Sequence, residues 1–163
     1  MNFHKTPHTS YIIWIAGTRE QIWKALTDGE MTRKYFFGLR IESDWKVGSR
    51  WTLWKDDGRV DCDGTVLESV PGKRLAITWK VEWIEEMRSL PETLVTYDLD
   101  RIGGSVRLTL GEYHQGEIDE KLLAGGRAGW PAILSGLKTL VETGKPLPGI
   151  EMDKLMAPPG SVE

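Results

Sequence analysis

The stretch Arg74-Leu75-Ala76-Ile77-Thr78-Trp79-Lys80-Val81-Glu82-Trp83 decides the fold. On an extended chain Leu75, Ile77, Trp79, Val81 and Trp83 share one side, while Arg74, Thr78, Lys80 and Glu82 take the other. That alternation predicts a strand with one covered and one wet face. Runs at 39–42, 50–54 and 60–70 precede it with the same period. Val95, Tyr97 and Leu99, then Val106, Leu108 and Leu110, repeat it afterwards. Asp56-Asp57-Gly58, Pro71-Gly72 and Gly103-Gly104 provide the tight connections of an antiparallel meander. Its apolar face requires a cover.

The cover is legible at 117–143. Leu122, Leu123, Trp130, Ile133, Leu134, Leu137, Leu140 and Val141 recur at intervals that make a stripe along a long amphipathic helix. Gly144 and Pro146 stop it. Ahead of the meander, Tyr11–Ala16 is β-branched and aromatic and predicts a first strand ending at Gly17. Thr18 and Gln21 form a capping box that opens a short helix with Ile22 and Leu26 on one face. A second short helix, Met31–Phe36, ends near Gly38. The predicted fold is α+β: a curved antiparallel sheet of about seven strands wrapped on a long C-terminal helix, with two short helices after strand one. Residues 1–9 read as a lead-in, 10–144 as one domain, and 145–163 as a proline-containing tail.

Composition narrows the function. The 163 residues carry 21 Lys and Arg against 24 Asp and Glu, for a net charge of −3 with no block of one sign. Nucleic acid is therefore excluded as an expected partner. The longest apolar run, Tyr11–Ala16, is far short of the roughly 20 residues of a spanning helix, so membrane insertion is excluded too. A single cysteine, Cys62, and the lack of a cationic, apolar leader predict a cytoplasmic protein.

Familiar chemical motifs fail in context. Asp61-Cys62-Asp63-Gly64 would put Arg59 and Val70 where a calcium loop needs its first and last carboxylates. One cysteine and three scattered histidines give no zinc spacing. There is no Gly-x-Ser-x-Gly elbow, and Gly125-Gly126-Arg127-Ala128-Gly129 does not follow a strand. No metal and no cofactor is implied.

The aromatic content is the main clue. Among eight tryptophans, Trp51, Trp79 and Trp83 fall with Tyr97 on the covered sheet face, opposite Trp130 and Ile133 of the long helix. Small-molecule pockets are lined by such side chains, and these six are the candidate ligand-binding residues. Gly125, Gly126, Gly129 and Gly136 each cost the helix about 1 kcal/mol relative to alanine. Either the helix kinks or packs closely there, or the missing side chains leave room for a ligand.

The local motifs resemble those of the Aha-type activators of the heat-shock chaperone ATPase and their bacterial relatives, within the START-like (SRPBCC) superfamily. Ile22-Trp23-Lys24-Ala25-Leu26-Thr27-Asp28, followed by Tyr35-Phe36, is similar to the family's first helix and aromatic pair. Gly64-Thr65-Val66-Leu67-Glu68, then Pro71, Arg74-Leu75 and Thr78-Trp79, resembles its central strands. Gly129-Trp130, Leu134, Leu137 and Glu142-Thr143-Gly144 resemble its closing helix. The match spans roughly residues 10–144 and departs at Gly17, where the family usually has proline. It implies a helix-grip (START-like, Bet v-like) fold with a deep, mostly apolar cavity used by relatives for hydrophobic ligands.

Three functions follow as expectations. The leading one is a binding protein for an apolar or aromatic small molecule, without a catalytic apparatus. Its rival is a cyclase, dehydratase or hydrolase in the same cavity, which needs inward polar groups. Asp98, Arg107, Glu112 and His114 are the candidates, although strand parity sends Asp98 and Arg107 outward. The third is an interaction module for a chaperone or a second copy of the chain.

Overall fold

Alternating side chains on seven strands build one antiparallel sheet in the computed structural model, which describes residues 1–163. Strand β1 (Thr9–Ile15) leads into helices α1 (Arg19–Thr27) and α2 (Gly29–Thr32). Then come β2 (Arg40–Glu42), β3 (Arg50–Trp54), β4 (Val60–Val70) and β5 (Arg74–Val81). A single helical turn, α3 (Glu85–Arg88), separates β5 from β6 (Thr93–Ile102) and β7 (Ser105–Tyr113). The long helix α4 (Glu120–Thr143) follows. The strand order is β1-β7-β6-β5-β4-β3-β2, so the meander is continuous and β1 closes its far edge against β7. This is the helix-grip arrangement.

The sequence signals act locally as their chemistry requires. Gln21 N–H donates to Thr18 Oγ1 at 3.1 Å and Thr18 N–H to Gln21 Oε1 at 2.9 Å, which satisfies two orphan donors of α1. The second helix starts earlier than Met31, because Asp28 Oδ1 accepts from the N–H groups of Glu30 and Met31. Asp119 accepts from Lys121 N–H and sets the start of α4 at Glu120. Gly144, at φ 73°, ends it. The helix is pinned to β1 at this end, where Lys138 Nζ donates to the Trp14 carbonyl and Glu142 Oε2 accepts from Ala16 N–H.

The core lies between the concave sheet face and α4, with α1 and the 33–37 turn closing one end. Ile15, Ile22, Leu53, Ile77, Leu108 and Leu137 are sealed within it. Trp51 is also fully buried, and its Nε1–H donates to the Thr78 carbonyl at 2.8 Å. The indole lies over Gly64, the residue paired with it across β3 and β4. A Cβ at Gly64 would come within 1.9 Å of the Thr78 oxygen and 2.8 Å of Trp51 Nε1. Glycine is needed there for close approach of backbone and indole.

The alternation that predicts Trp83 on the covered face fails at the end of β5. Pairing with β6 stops at Trp79 and Thr93, and β5 itself ends at Val81. Beyond Trp79 only β4 stays beside the chain, through the Cys62–Val81 pair and the bond from Glu82 N–H to the Asp61 carbonyl, and Trp83 is 49% exposed, with Lys55 Nζ 5.3 Å from its ring centre. The residues around α3 instead turn toward the gap between sheet and helix.

Gly64→Ala is expected to destabilise the protein by about 3 kcal/mol through overpacking against Thr78 and Trp51. Gly104→Ala, whose Cβ would meet nothing, is the control. Urea unfolding of both variants decides the point: similar midpoints would contradict the close approach.

Candidate functional site

The inward stripe of β7 is apolar through Val106, Leu108 and Leu110, then turns polar at Glu112 and His114. On β6 it runs from Leu99 through Tyr97 and Val95 to Thr93. The register pairs Val95 with Glu112, so both polar ends fall together. They stand in a cavity of about 400 Å³ between the sheet and α4. Phe36, Trp79, Val95, Trp130 and Ile133 form its apolar wall. Met87, Leu90 and Pro91 from the β5–β6 connection, and Met152 and Leu155 from the tail, line it as well.

Aromatic rings pack on one another along this wall, Trp79 and Trp130 edge to face. Trp79 lies 4.5 Å from Trp51 and 5.4 Å from Trp130 between ring centres, and Phe36 stacks on Trp79 at 6.0 Å. Of the six residues expected to line the site, Trp79, Trp130 and Ile133 face the cavity. Trp51 and Tyr97 share their sheet face but lie sealed in the core behind it, where burial pushes the Tyr97 hydroxyl pKa up. Trp83 does not reach the cavity, for the reason given above.

The helix glycines divide between the two readings. Gly136 is a close-packing position, since a Cβ there would stand 3.0 Å from Tyr35 Cβ. At Gly125 and Gly129 a Cβ would meet nothing within 4 Å, and at Gly126 it would meet Glu112 Oε2 at 3.2 Å. All three of these line the cavity. The helix continues past them to Thr143 and carries a proline, Pro131, just beyond, which removes one of its backbone hydrogen bonds.

Of the four polar candidates, two lie elsewhere. Asp98 holds Arg74 Nη1 on the outer face, and Arg107 donates to Asp100 there. Glu112 and His114 are brought together, 8% and 9% exposed. Trp130 Nε1–H donates to Glu112 Oε2 at 2.9 Å, and His114 Nε2 lies 2.9 Å from Glu112 Oε1. His114 Nδ1 in turn lies 3.2 Å from Thr93 Oγ1. Sequence reasoning missed Thr93; only its parity with Val95 and Tyr97 signalled that it points inward.

It also missed that the three histidines converge. The lead-in is laced to residues 112–116: His8 N–H donates to the Glu112 carbonyl and His4 N–H to the His114 carbonyl. The rings of His4, His8 and His114 form a ladder of edge-to-face contacts at 4.8 and 5.0 Å. His8 Nδ1 accepts from the His114 N–H, which requires that nitrogen to be unprotonated. Burial, then the His114 and His4 rings, lower the His8 pKa, with Arg127 adding to this and Glu112 opposing it. Cys62, on the cavity wall, has its thiol pushed well up by burial and by Asp61, so it is not a ready nucleophile. No cluster of His, Cys, Asp and Glu could hold a metal ion, and no helix is long and apolar enough to cross a membrane.

Comparison with known proteins bears on the family and the fold. The family model described as Activator of Hsp90 ATPase homolog 1-like protein matches residues 16–142. No curated protein matches the chain. Among solved structures, DynU16, a protein in the dynemicin biosynthetic locus, superposes with a TM-score of 0.70 at 22% identity, over 85% of this chain and 48% of that one. CalU16 from Micromonospora echinospora gives 0.65 at 21% identity, over 83% and 76%. The Aha1 dimer from Colwellia psychrerythraea gives 0.65 at 21% identity, over 83% and 96%. At such identities the likeness speaks for the fold alone.

A lowered histidine pKa means that the unfolded chain binds the proton more readily than the folded one. The stability contributed by neutral His8 is therefore complete above about pH 6.5 and is lost as pH falls toward its folded value. Urea midpoints of the wild type should drop between about pH 7 and pH 5 more steeply than those of His8→Gln. Parallel pH profiles would show that His8 carries none of this dependence.

Proposed function

The chain belongs to the Activator of Hsp90 ATPase homolog 1-like protein family, and from that premise we propose that it binds an apolar, aromatic-sized small molecule between its sheet and α4. The observation that carries this reading is the cavity itself. A space of about 400 Å³ falls within the roughly 300–1,000 Å³ range of small-molecule sites. Gly125 and Gly129 open it on the helix side, each at an energetic cost to the helix that no facing side chain explains. The wall offers flat indole faces, and its few polar groups gather at one pole, so a ligand with one polar end would be oriented. The likeness to a protein from a biosynthetic locus of a small molecule is in keeping with this role. In this reading the protein is cytoplasmic and its principal partner is the ligand.

Calorimetric titration with a panel of polycyclic aromatics and alkyl phenols tests it. Gly129→Leu projects into open space, so it should leave the fold intact while weakening binding by about tenfold or more. Trp79→Ala should weaken it similarly. Unchanged affinity in a folded Gly129→Leu protein would place the ligand elsewhere.

A second reading, self-association, has its own observation. Edge strand β1 exposes Ile12 and Trp14 at 58% and 48% on the outer sheet face, and a relative of this fold is described as a dimer. Isolated apolar side chains are ordinary on surfaces, but two alternating ones on an unpaired edge invite a partner. Light scattering should then report a dimer that Trp14→Glu converts to monomer; a wild-type monomer at high concentration would dismiss the reading.

A further inference from the structure

Thr93, His114 and Glu112 have the connectivity of a nucleophile, a base and an orienting carboxylate. Trp130 Nε1 can only donate, so Glu112 Oε2 accepts from it. Glu112 Oε1 then accepts from His114 Nε2–H, and this contact selects the tautomer whose Nδ1 is a free acceptor. That nitrogen lies 3.2 Å from the Thr93 hydroxyl, which donates to it. Nucleophile and base are within hydrogen-bond reach and the base is fixed by a third group, which is the general signature of an activated hydroxyl. All three side chains line the same cavity. They sit at its polar pole, where a polar group on an apolar ligand would be directed.

From this arrangement the geometry points to an acyl-transfer activity: hydrolysis of an apolar ester seated against the aromatic wall, with Thr93 Oγ1 as nucleophile, His114 as general base and Glu112 as positioning residue. The inference rests on the proposed reading of the cavity as a small-molecule site. Thr93 Oγ1 attacks the acyl carbon, a C–O bond forms, and the hydroxyl proton passes to His114 Nδ1. The imidazolium so formed is stabilised by Glu112 across Nε2–H. The bond from acyl carbon to the alcohol oxygen then breaks, and the alcohol leaves with the proton from Nδ1. Water then attacks the acyl carbon as His114 Nδ1 takes one of its protons; the bond from that carbon to Thr93 Oγ1 breaks, the proton passes to the threonine oxygen, and the carboxylic acid leaves. No oxidant or further co-reactant is needed.

The 163-residue chain is incubated with 4-nitrophenyl hexanoate, and binding of the uncleavable 4-nitrophenyl hexyl ether is measured separately by calorimetry. Nitrophenolate release should be about a hundredfold faster in the wild type than in His114→Gln or Thr93→Val, with Thr93→Ser restoring activity. Mass spectrometry of the quenched wild type should locate the acyl group on Thr93. Thr93→Val is nearly isosteric at a half-buried strand end, so a folded comparison exists even if His114→Gln fails to fold. Ether binding with release no faster than in folded Thr93→Val, or with acylation only at other residues, overturns the relay and spares the binding role. Absence of ether binding together with absence of turnover overturns both.

Discussion

A carboxylate inside an apolar wall survives only if its oxygens are met, and the contacts that meet those of Glu112 organise this molecule. One oxygen accepts from Trp130 on α4 and the other from His114 on the continuation of β7, so a single residue ties helix to sheet across the cavity. Hydrogen bonds to charged groups contribute about 1.5–3 kcal/mol, and leaving a buried charge without its partners costs more. Gly126 follows from this, because a side chain there would crowd Glu112 Oε2. The pole of the cavity is thus a fixed spacer as well as a chemical feature, and the helix cannot settle onto the sheet there without displacing it.

Most of the fold was legible because its signals are local. Period-two alternation, three tight turns, a capping box and a helix stopped by glycine each act over a few residues, and tertiary structure agrees with them. The site was legible only in part, because parity says which way a side chain points and not how far its strand persists. Trp83 keeps the parity of Trp79, but the β6 partner runs out at Thr93 and the rule lapses. Trp51 and Tyr97 obey the rule and still lie behind the cavity wall, since a concave sheet has depth that a one-dimensional pattern does not express.

The histidines show the converse. In sequence they are isolated, and separations of about a hundred residues carry no periodic signal. They meet because the lead-in hydrogen bonds back along β7, so that one strap of backbone brings His4 and His8 against the same residue that holds Glu112. The glycines of α4 were ambiguous for a similar reason. Whether a missing side chain serves contact or space depends on what stands opposite, and the structure assigns contact to Gly136 and space to Gly125 and Gly129.

The clustered indoles have an optical consequence. Trp51, Trp79 and Trp130 form a chain of ring centres 4.5 and 5.4 Å apart, close enough for their electronic transitions to couple rather than absorb independently. Two of the three border the cavity directly, and the third, Trp51, is sealed behind them. Near-ultraviolet circular dichroism, which reads the fixed packing of aromatic rings, should therefore be dominated by one corner of this molecule. Occupancy of the cavity becomes a spectral property of the native chain, visible without label or engineered probe.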